Sequence, residues 1–142
     1  MKKIFASIGL VLALQASFAA DKPDNLPDSY YANTMLDLVT CRVSLRSSLV
    51  NAEIGRPQDQ DSDYLGCIAK SRATAKANLN KALRMVKKAK AQEALKTYHV
   101  AFVSAIEGLT PGYVERKIDY EQRQQALEGK ATEAWARFEI ER

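Results

Sequence analysis

Groups that carry out catalysis are scarce in this sequence of 142 residues. It has one histidine, His99, and two cysteines, Cys41 and Cys67. A Ser-His-Asp or Cys-His arrangement would have to use that one imidazole, and a thiol held in a disulfide cannot act as a nucleophile. The six glycines are scattered and form no phosphate-binding loop. We therefore predict that the chain is not an enzyme and has no catalytic residues.

Ligands for a metal ion are equally few. Two cysteines and one histidine cannot complete a tetrahedral zinc site without carboxylates. The spacing of Asp59, Asp61 and Asp63 imitates the first half of a calcium loop. Such a loop needs glycine where this chain has Tyr64 and glutamate where it has Lys70. The sequence therefore predicts no metal site.

The apolar run near the start of the chain is too short to span a bilayer. It lies between basic residues, Lys2 and Lys3, and small residues around Ala19, which is the pattern of a secretory signal. We predict a signal peptide over residues 1–19, a flexible lead-in over 20–28 and one helical domain over 29–142, located in the periplasm. Removing Lys2 and Lys3 lowers the formal net charge from +4 to +2. So small an excess does not indicate nucleic acid as a partner.

What the sequence does have is helical periodicity. Apolar and small side chains recur every three or four residues from Leu65 to Leu109, and the large ones are missing around residues 88–92. One straight helix of that length would be about 67 Å long, much larger than a compact domain of this size. We therefore expect a kink or break, with a second helix that ends near Lys87 and a third that begins near Lys90.

Two further helices flank this stretch. The first covers about residues 29–54, with Asp28 or Ser29 as its cap. Its apolar residues form two stripes, so we expect it to pack against more than one neighbour. The last helix begins at Pro111, with Thr110 as its N-cap. The sequence therefore predicts an all-α fold, a small bundle of about four helices.

Cys41 and Cys67 are predicted to form a disulfide between the first two helices, because both lie in the exported part of the chain. Cys41 lies about 13 residues before the end of the first helix, which Gly55 terminates, whereas Cys67 lies about one turn into the second. Bridged Cα atoms are only about 4.4–6.8 Å apart, so the two helices cannot form a symmetric hairpin. Residues 50–59 should protrude, either as an ordinary loop or as a surface that binds a partner.

The order of these features resembles a known family. One cysteine in each of the first two helices is followed by ALRMVKKAKAQEALKTYHVAFVSAIEGLTPG at residues 82–112 and by a last helix with the sequence ERKIDYEQRQQALEGKATEAWARFEIE. In this layout, from Cys41 to Glu141, the chain resembles the periplasmic immunity proteins that neutralise the amidase effectors of type VI secretion systems.

The resemblance implies an all-helical, often dimeric protein that binds a secreted peptidoglycan amidase, a cysteine-histidine hydrolase, and occludes its active-site cleft. The contact would be the projecting region or the exposed part of the third helix. We therefore expect a protein inhibitor without a cofactor, whose partners are an amidase and a second copy of the chain. The candidate partner-binding residues are Asp59, Gln60, Asp61, Asp63 and His99.

Three other interpretations stay open. A helical adaptor or chaperone-like module would expose a broad apolar groove instead of a charged loop. A haem-binding bundle could use Met35 and His99 as axial ligands, although the sequence has no Cys-x-x-Cys-His attachment motif. The lysines and arginines of the second helix form either a solvated face or a surface for an acidic partner.

Overall fold

The protein consists of four α-helices. The computed structural model describes residues 26–57 and 63–142, and none of these residues forms a strand. The helices are α1 (Leu26–Glu53), α2 (Tyr64–Met85), α3 (Ala89–Glu107) and α4 (Lys117–Glu141). The prediction of an all-α bundle of about four helices is confirmed. The predicted signal peptide, residues 1–19, and residues 20–25 of the predicted lead-in lie outside the described residues.

Each helix runs antiparallel to the one before it. Arg72 near the start of α2 pairs with Glu107 at the end of α3, with 3.0 Å between Nε and Oε1. The hydroxyl of Tyr120 near the start of α4 donates to the carbonyl of Leu109, just after α3, at 3.1 Å. The first contact places the first half of α2 beside the end of α3. The second places the start of α4 beside that same end of α3. The arrangement is an up-down-up-down four-helix bundle.

α4 returns along α1 and closes the bundle. Arg142, directly after α4, pairs with Asp28 in the first turn of α1 at 2.5 Å. Further along the two helices, Glu128 of α4 pairs with Arg42 of α1. Residue numbers rise along α1 where they fall along α4, so these two helices are antiparallel neighbours.

Aromatic side chains fill the centre of the bundle. Tyr98 and Phe102 of α3 and Phe138 of α4 are fully buried. Trp135 of α4 stacks on Tyr31 of α1 with ring centroids 4.5 Å apart. Each of these large rings removes apolar surface from water and so contributes strongly to stability.

The predicted apolar stripe of α2 and α3 is confirmed along most of its length. Its buried members are Ile68, Ala75, Leu79, Ala82, Val86, Leu95, Tyr98, Phe102, Ala105, Ile106 and Leu109. The prediction is wrong at its first residue, because Leu65 is exposed. Arg72 already pairs with the last residue of α3, so α3 does not extend far enough to cover Leu65.

The break between α2 and α3 falls at residues 86–88, and it confirms the predicted interruption. Neither glycine nor proline causes it. The side-chain amide of Gln92 donates to the carbonyls of Val86 at 2.7 Å and Leu83 at 3.3 Å. These bonds satisfy carbonyl groups that the end of α2 leaves without an intrahelical partner. A cap from the next helix therefore takes the place of a C-terminal glycine.

The helix starts differ from prediction in two places. α1 begins at Leu26, so Asp28 lies in its first turn and does not cap it. α4 begins at Lys117, and the prediction that it starts at Pro111 after a cap at Thr110 is wrong. The side chain of Glu115 accepts a hydrogen bond from the backbone N–H of Gly112 at 2.9 Å, which holds this segment in a non-helical loop.

The predicted disulfide is present. Cys41 of α1 and Cys67 of α2 are bonded, with their Cα atoms 5.5 Å apart. Such a bond is compatible with an oxidising compartment outside the cytosol. No helix within residues 26–57 and 63–142 is both long and apolar enough to cross a membrane.

Candidate functional site

Beyond the disulfide, only two of the four helices continue. α1 runs for twelve residues after Cys41, about 18 Å, whereas α2 has only three residues before Cys67. α3 ends at Glu107, level with Arg72 of α2. The outer turns of residues 42–53 of α1 and 117–128 of α4 therefore pass the other two helices, whereas Gln124 lies level with the end of α3. We call this pair of segments the extension.

The two helices of the extension enclose an open cleft of about 650 Å³. Its apolar floor includes Leu45, which is buried, and Leu49, which is half exposed. Tyr120 of α4 contributes an aromatic wall. A cleft of this size and composition falls within the range of binding sites for peptides and small molecules. Charged residues of both signs also line it, namely Arg42, Arg46, Glu53, Lys117, Glu121 and Glu128.

Gln124 lies in this cleft with one unused hydrogen-bonding atom. The side chain is only 5 % exposed, and its Nε2 donates to the carbonyl of Gly108. Its Oε1 is buried and has no partner among the described residues. A buried acceptor without a donor costs about 1–3 kcal/mol. Gln124 therefore carries a local cost at the side of the cleft.

Arg123 fastens the loop before α4 to the base of the extension. It donates to both carboxylate oxygens of Glu115 at 2.7 Å and to the carbonyl of Gly108 at 2.7 Å. The hydrogen bond from Arg123, and after it the one from the N–H of Gly112, lowers the pKa of Glu115 to about 2. The carboxylate thus stays ionised and the loop stays anchored at any physiological pH. Tyr113 in the middle of this loop is fully exposed.

The predicted acidic tip follows α1 in the sequence. Three of the candidate partner-binding residues, Asp59, Gln60 and Asp61, lie outside the described residues. Gly55, just after α1, has φ +66°, the left-handed conformation predicted for it, which glycine adopts without strain. Asp63 follows the tip, and its carboxylate accepts a hydrogen bond from the N–H of Gly66 at 2.9 Å. Asp63 is therefore the N-cap of α2.

His99 lies in the four-helix part of the molecule and not in the extension. It is half buried, and its Nδ1 is hydrogen-bonded to the hydroxyl of Tyr30 at 2.6 Å. Burial lowers the pKa of His99, and the nearby charge of Lys76 lowers it further. Burial raises the pKa of Tyr30. These shifts favour the neutral form of both groups, so the phenol O–H donates a hydrogen bond to Nδ1 of a neutral imidazole.

The sequence predictions therefore name residues in two separate places. Asp63 and His99 both serve intramolecular contacts, one as a helix cap and one as a hydrogen-bond acceptor. The cleft residues Leu45, Tyr120 and Gln124 were not among the candidates. The polar Gln124 within the apolar heptad of the last helix was the one signal of looser packing in that region. Met35, which the haem-binding interpretation pairs with His99 as an axial ligand, is partly buried on α1.

The described residues contain no group of three or more His, Cys, Asp or Glu side chains placed to hold a metal ion. Comparison of the chain with protein-family models, with curated proteins and with solved structures gives no significant match.

Proposed function

We propose that this chain is a periplasmic inhibitor that binds a secreted peptidoglycan amidase and occludes its active-site cleft, in the manner of the immunity proteins it resembles. The extension is the observation that carries the proposal. It is a pair of helix segments that project past the body of the bundle, and the acidic sequence of residues 58–62 follows its α1 segment along the chain. An element of this shape can enter the cleft of another protein.

Two bonds hold the extension in place before any partner arrives. The disulfide between Cys41 and Cys67 fixes α1 to α2 at its base. The ion pair between Arg42 and Glu128 joins its two helices. A binding element that is already ordered loses less conformational entropy on association, so more of the contact energy remains as affinity.

The proposal predicts that the acidic tip is needed for inhibition. A chain with Asp59→Ala and Asp61→Ala should require at least tenfold more protein to inhibit an amidase encoded beside its own gene, since loss of one central contact commonly costs 1.4 kcal/mol or more. Hydrolysis of purified peptidoglycan by the amidase is the measurement. Glu139→Ala with Glu141→Ala is the control, because it removes the same charge at the opposite end of the molecule and should inhibit like the wild type.

Three outcomes of the inhibition assay distinguish the surfaces that could contact the amidase. If Val100→Glu on the exposed side of α3 weakens inhibition while the tip variant does not, α3 is the contact surface and the tip is an ordinary loop. If the wild type neither binds nor inhibits the amidase, the inhibitor proposal is wrong. If both charge-removing variants weaken inhibition equally, net charge and not the tip governs binding.

An exposed apolar stripe on α1 favours a second candidate function. The outer face of this helix carries five aliphatic side chains, each more than half exposed: Leu36, Val39, Val43, Val50 and Ile54. This is the second of the two stripes predicted for the first helix, and it is exposed although α1 contacts α2, α3 and α4. Exposed apolar patches of this kind mark surfaces that bind other proteins. A helical adaptor would use such a face to hold a partner.

We propose that this stripe pairs two copies of the chain, as in the dimers of the resembling family. Its two outermost residues, Leu36 and Ile54, lie nine residues either side of Leu45. A two-fold axis at the level of Leu45 would place Leu36 of one copy against Ile54 of the other, and Ile54 of the first against Leu36 of the second. Half-burial of an aliphatic side chain contributes roughly 1 kcal/mol, and a pair of stripes brings ten of them together.

Val43→Glu should therefore turn a dimer into a monomer, because it places a charge in the middle of the apolar contact. Light scattering after gel filtration, at about 50 µM protein, measures the mass. Val100→Glu is a matched control, since Val43 is 60 % and Val100 is 64 % exposed, and it should leave the dimer intact. A monomeric wild type would contradict self-association and leave the stripe to an adaptor function.

A further inference from the structure

The charge of this chain is distributed very unevenly. Residues 64–92 contain eight lysines and arginines and no aspartate or glutamate. The rest of the chain then holds 13 basic residues (21 minus 8) against 17 acidic ones. A protein with a formal net charge of only +4 therefore carries a strongly positive helix beside a negative remainder.

The structure places this charge on one outward surface. The buried residues of α2 are Ile68, Ser71, Ala75, Leu79 and Ala82, and they occupy the opposite side of the helix. Lys70, Lys81 and Arg84 are exposed, and spacings of 11 and 14 residues bring them to nearly the same angle around the axis. Lys76 is exposed at the edge of this surface. We call these four residues the basic face of α2.

Little within the described residues neutralises the basic face. The ion pair found on α2 is that of Arg72 with Glu107, which lies outside the face. Lys70 has Asp37 of α1 nearby, but no ion pair within 4.0 Å is recorded for Lys76, Lys81 or Arg84 among residues 26–57 and 63–142. Lys81 and Arg84 are neighbours three residues apart on the helix and repel each other, and an anionic partner relieves that repulsion.

The shape of the face indicates what kind of anion fits. Between the basic residues lie Ala69, Ala73 and Ala77, which are exposed and small, so the backbone of a rod-shaped partner can approach closely. The exposed large apolar residues of α2 are Leu65 and Met85, near its two ends. The face has no apolar wedge to insert into a lipid surface. It also has no aromatic ring on which a base could stack.

We propose that the basic face of α2 binds an acidic segment of another protein, in helical form, along the line of Ala69, Ala73 and Ala77. This surface belongs to the four-helix body and not to the extension, so the proposal does not depend on the inhibitor function. The basic face would contribute electrostatic attraction, which speeds association and fixes the orientation of the partner. Binding should weaken steeply with salt, because exposed charge pairs are screened.

The test uses a fluorescent Glu- and Ala-rich peptide of about 20 residues, long enough to form a helix on a surface. Anisotropy at about 20 mM and about 150 mM NaCl measures its binding. The variant Lys70→Gln, Lys81→Gln and Arg84→Gln should bind the peptide roughly tenfold more weakly. The control Lys96→Gln, Lys117→Gln and Lys130→Gln removes the same charge from α3 and α4 and should change binding less than about twofold.

Several results would overturn the proposal. Equal weakening by both triple variants would show that net charge, not the face, attracts the peptide. Absence of binding by the wild type at low salt would leave the face as a solvated surface. If phosphatidylglycerol vesicles or single-stranded DNA bind more tightly than the peptide and through the same three residues, the partner is a membrane or a nucleic acid. Melting curves of both variants control for folding, since all six side chains are exposed.

Discussion

Replacing Cys41 and Cys67 together with alanine is expected to lower the free energy of unfolding by about 3.5 kcal/mol. The bond spans 26 residues of sequence, and closure of a loop of that length reduces the entropy of the unfolded chain by about this amount. For a domain of this size the change corresponds to a fall in melting temperature on the order of 10 °C. Alanine is used because Cys41 is fully buried, where a serine hydroxyl would need a partner.

Thermal unfolding followed by circular dichroism, with and without a reducing agent, measures this effect. The reduced wild type should melt close to the double variant, and the variant should not respond to the reducing agent. If the oxidised wild type and the variant melt together, the bond does not stabilise the fold. The variant should also inhibit less well, because without the bond α2 no longer fixes the base of the extension.

Replacing Phe102 with alanine is expected to cost about 4 kcal/mol, the typical loss for a buried phenylalanine. The ring is fully buried on α3, and α3 packs against both α2 and α4, so no single helix can move to fill the space. Part of the loss is the apolar surface no longer removed from water, and part is the cavity that remains. Urea unfolding at equilibrium measures the difference.

Val100→Ala is the matched control for that experiment. It lies two residues away on the same helix but is 64 % exposed, so its loss should stay below about 0.5 kcal/mol. Similar losses for both variants would mean that residue 102 is not in the core and that α3 is rotated relative to its neighbours. A change in the slope of the unfolding curve would indicate that the denatured state has changed as well.

Local patterns were enough to predict the fold class and the disulfide. Ile68, Leu95 and Phe102 belong to the run of apolar residues that recur every three or four positions, a pattern that depends only on helix geometry. These side chains are buried as predicted. The bond between Cys41 and Cys67 followed from their number and their place in the chain.

The start of α4 could not be predicted because it depends on distant contacts. Thr110 and Pro111 have the residue types of a helix start. Arg123 overrides that preference, since it binds the carbonyl of Gly108 fifteen residues earlier and the carboxylate of Glu115. No pattern of neighbouring residues reveals such a bond.

The cleft was missed for a similar reason. It exists because α4 is long enough to follow α1 past the other two helices, with its position fixed by the pair of Arg142 with Asp28 and of Glu128 with Arg42. Arg142 and Asp28 are 114 residues apart in the sequence. The exposure of the second stripe of α1 could not be predicted, because aliphatic side chains at helical spacing look the same whether their partner is in the same chain or in another.

The meeting of Arg142 with Asp28 has a practical consequence. The Leu26 end of α1 and the Glu141 end of α4 emerge side by side, at the pole opposite the cleft. A fluorescent protein or an affinity handle fused at either end would therefore lie away from the cleft. A short linker between the two ends would also allow the chain to be circularly permuted, with new ends opened in the loop between α1 and α2.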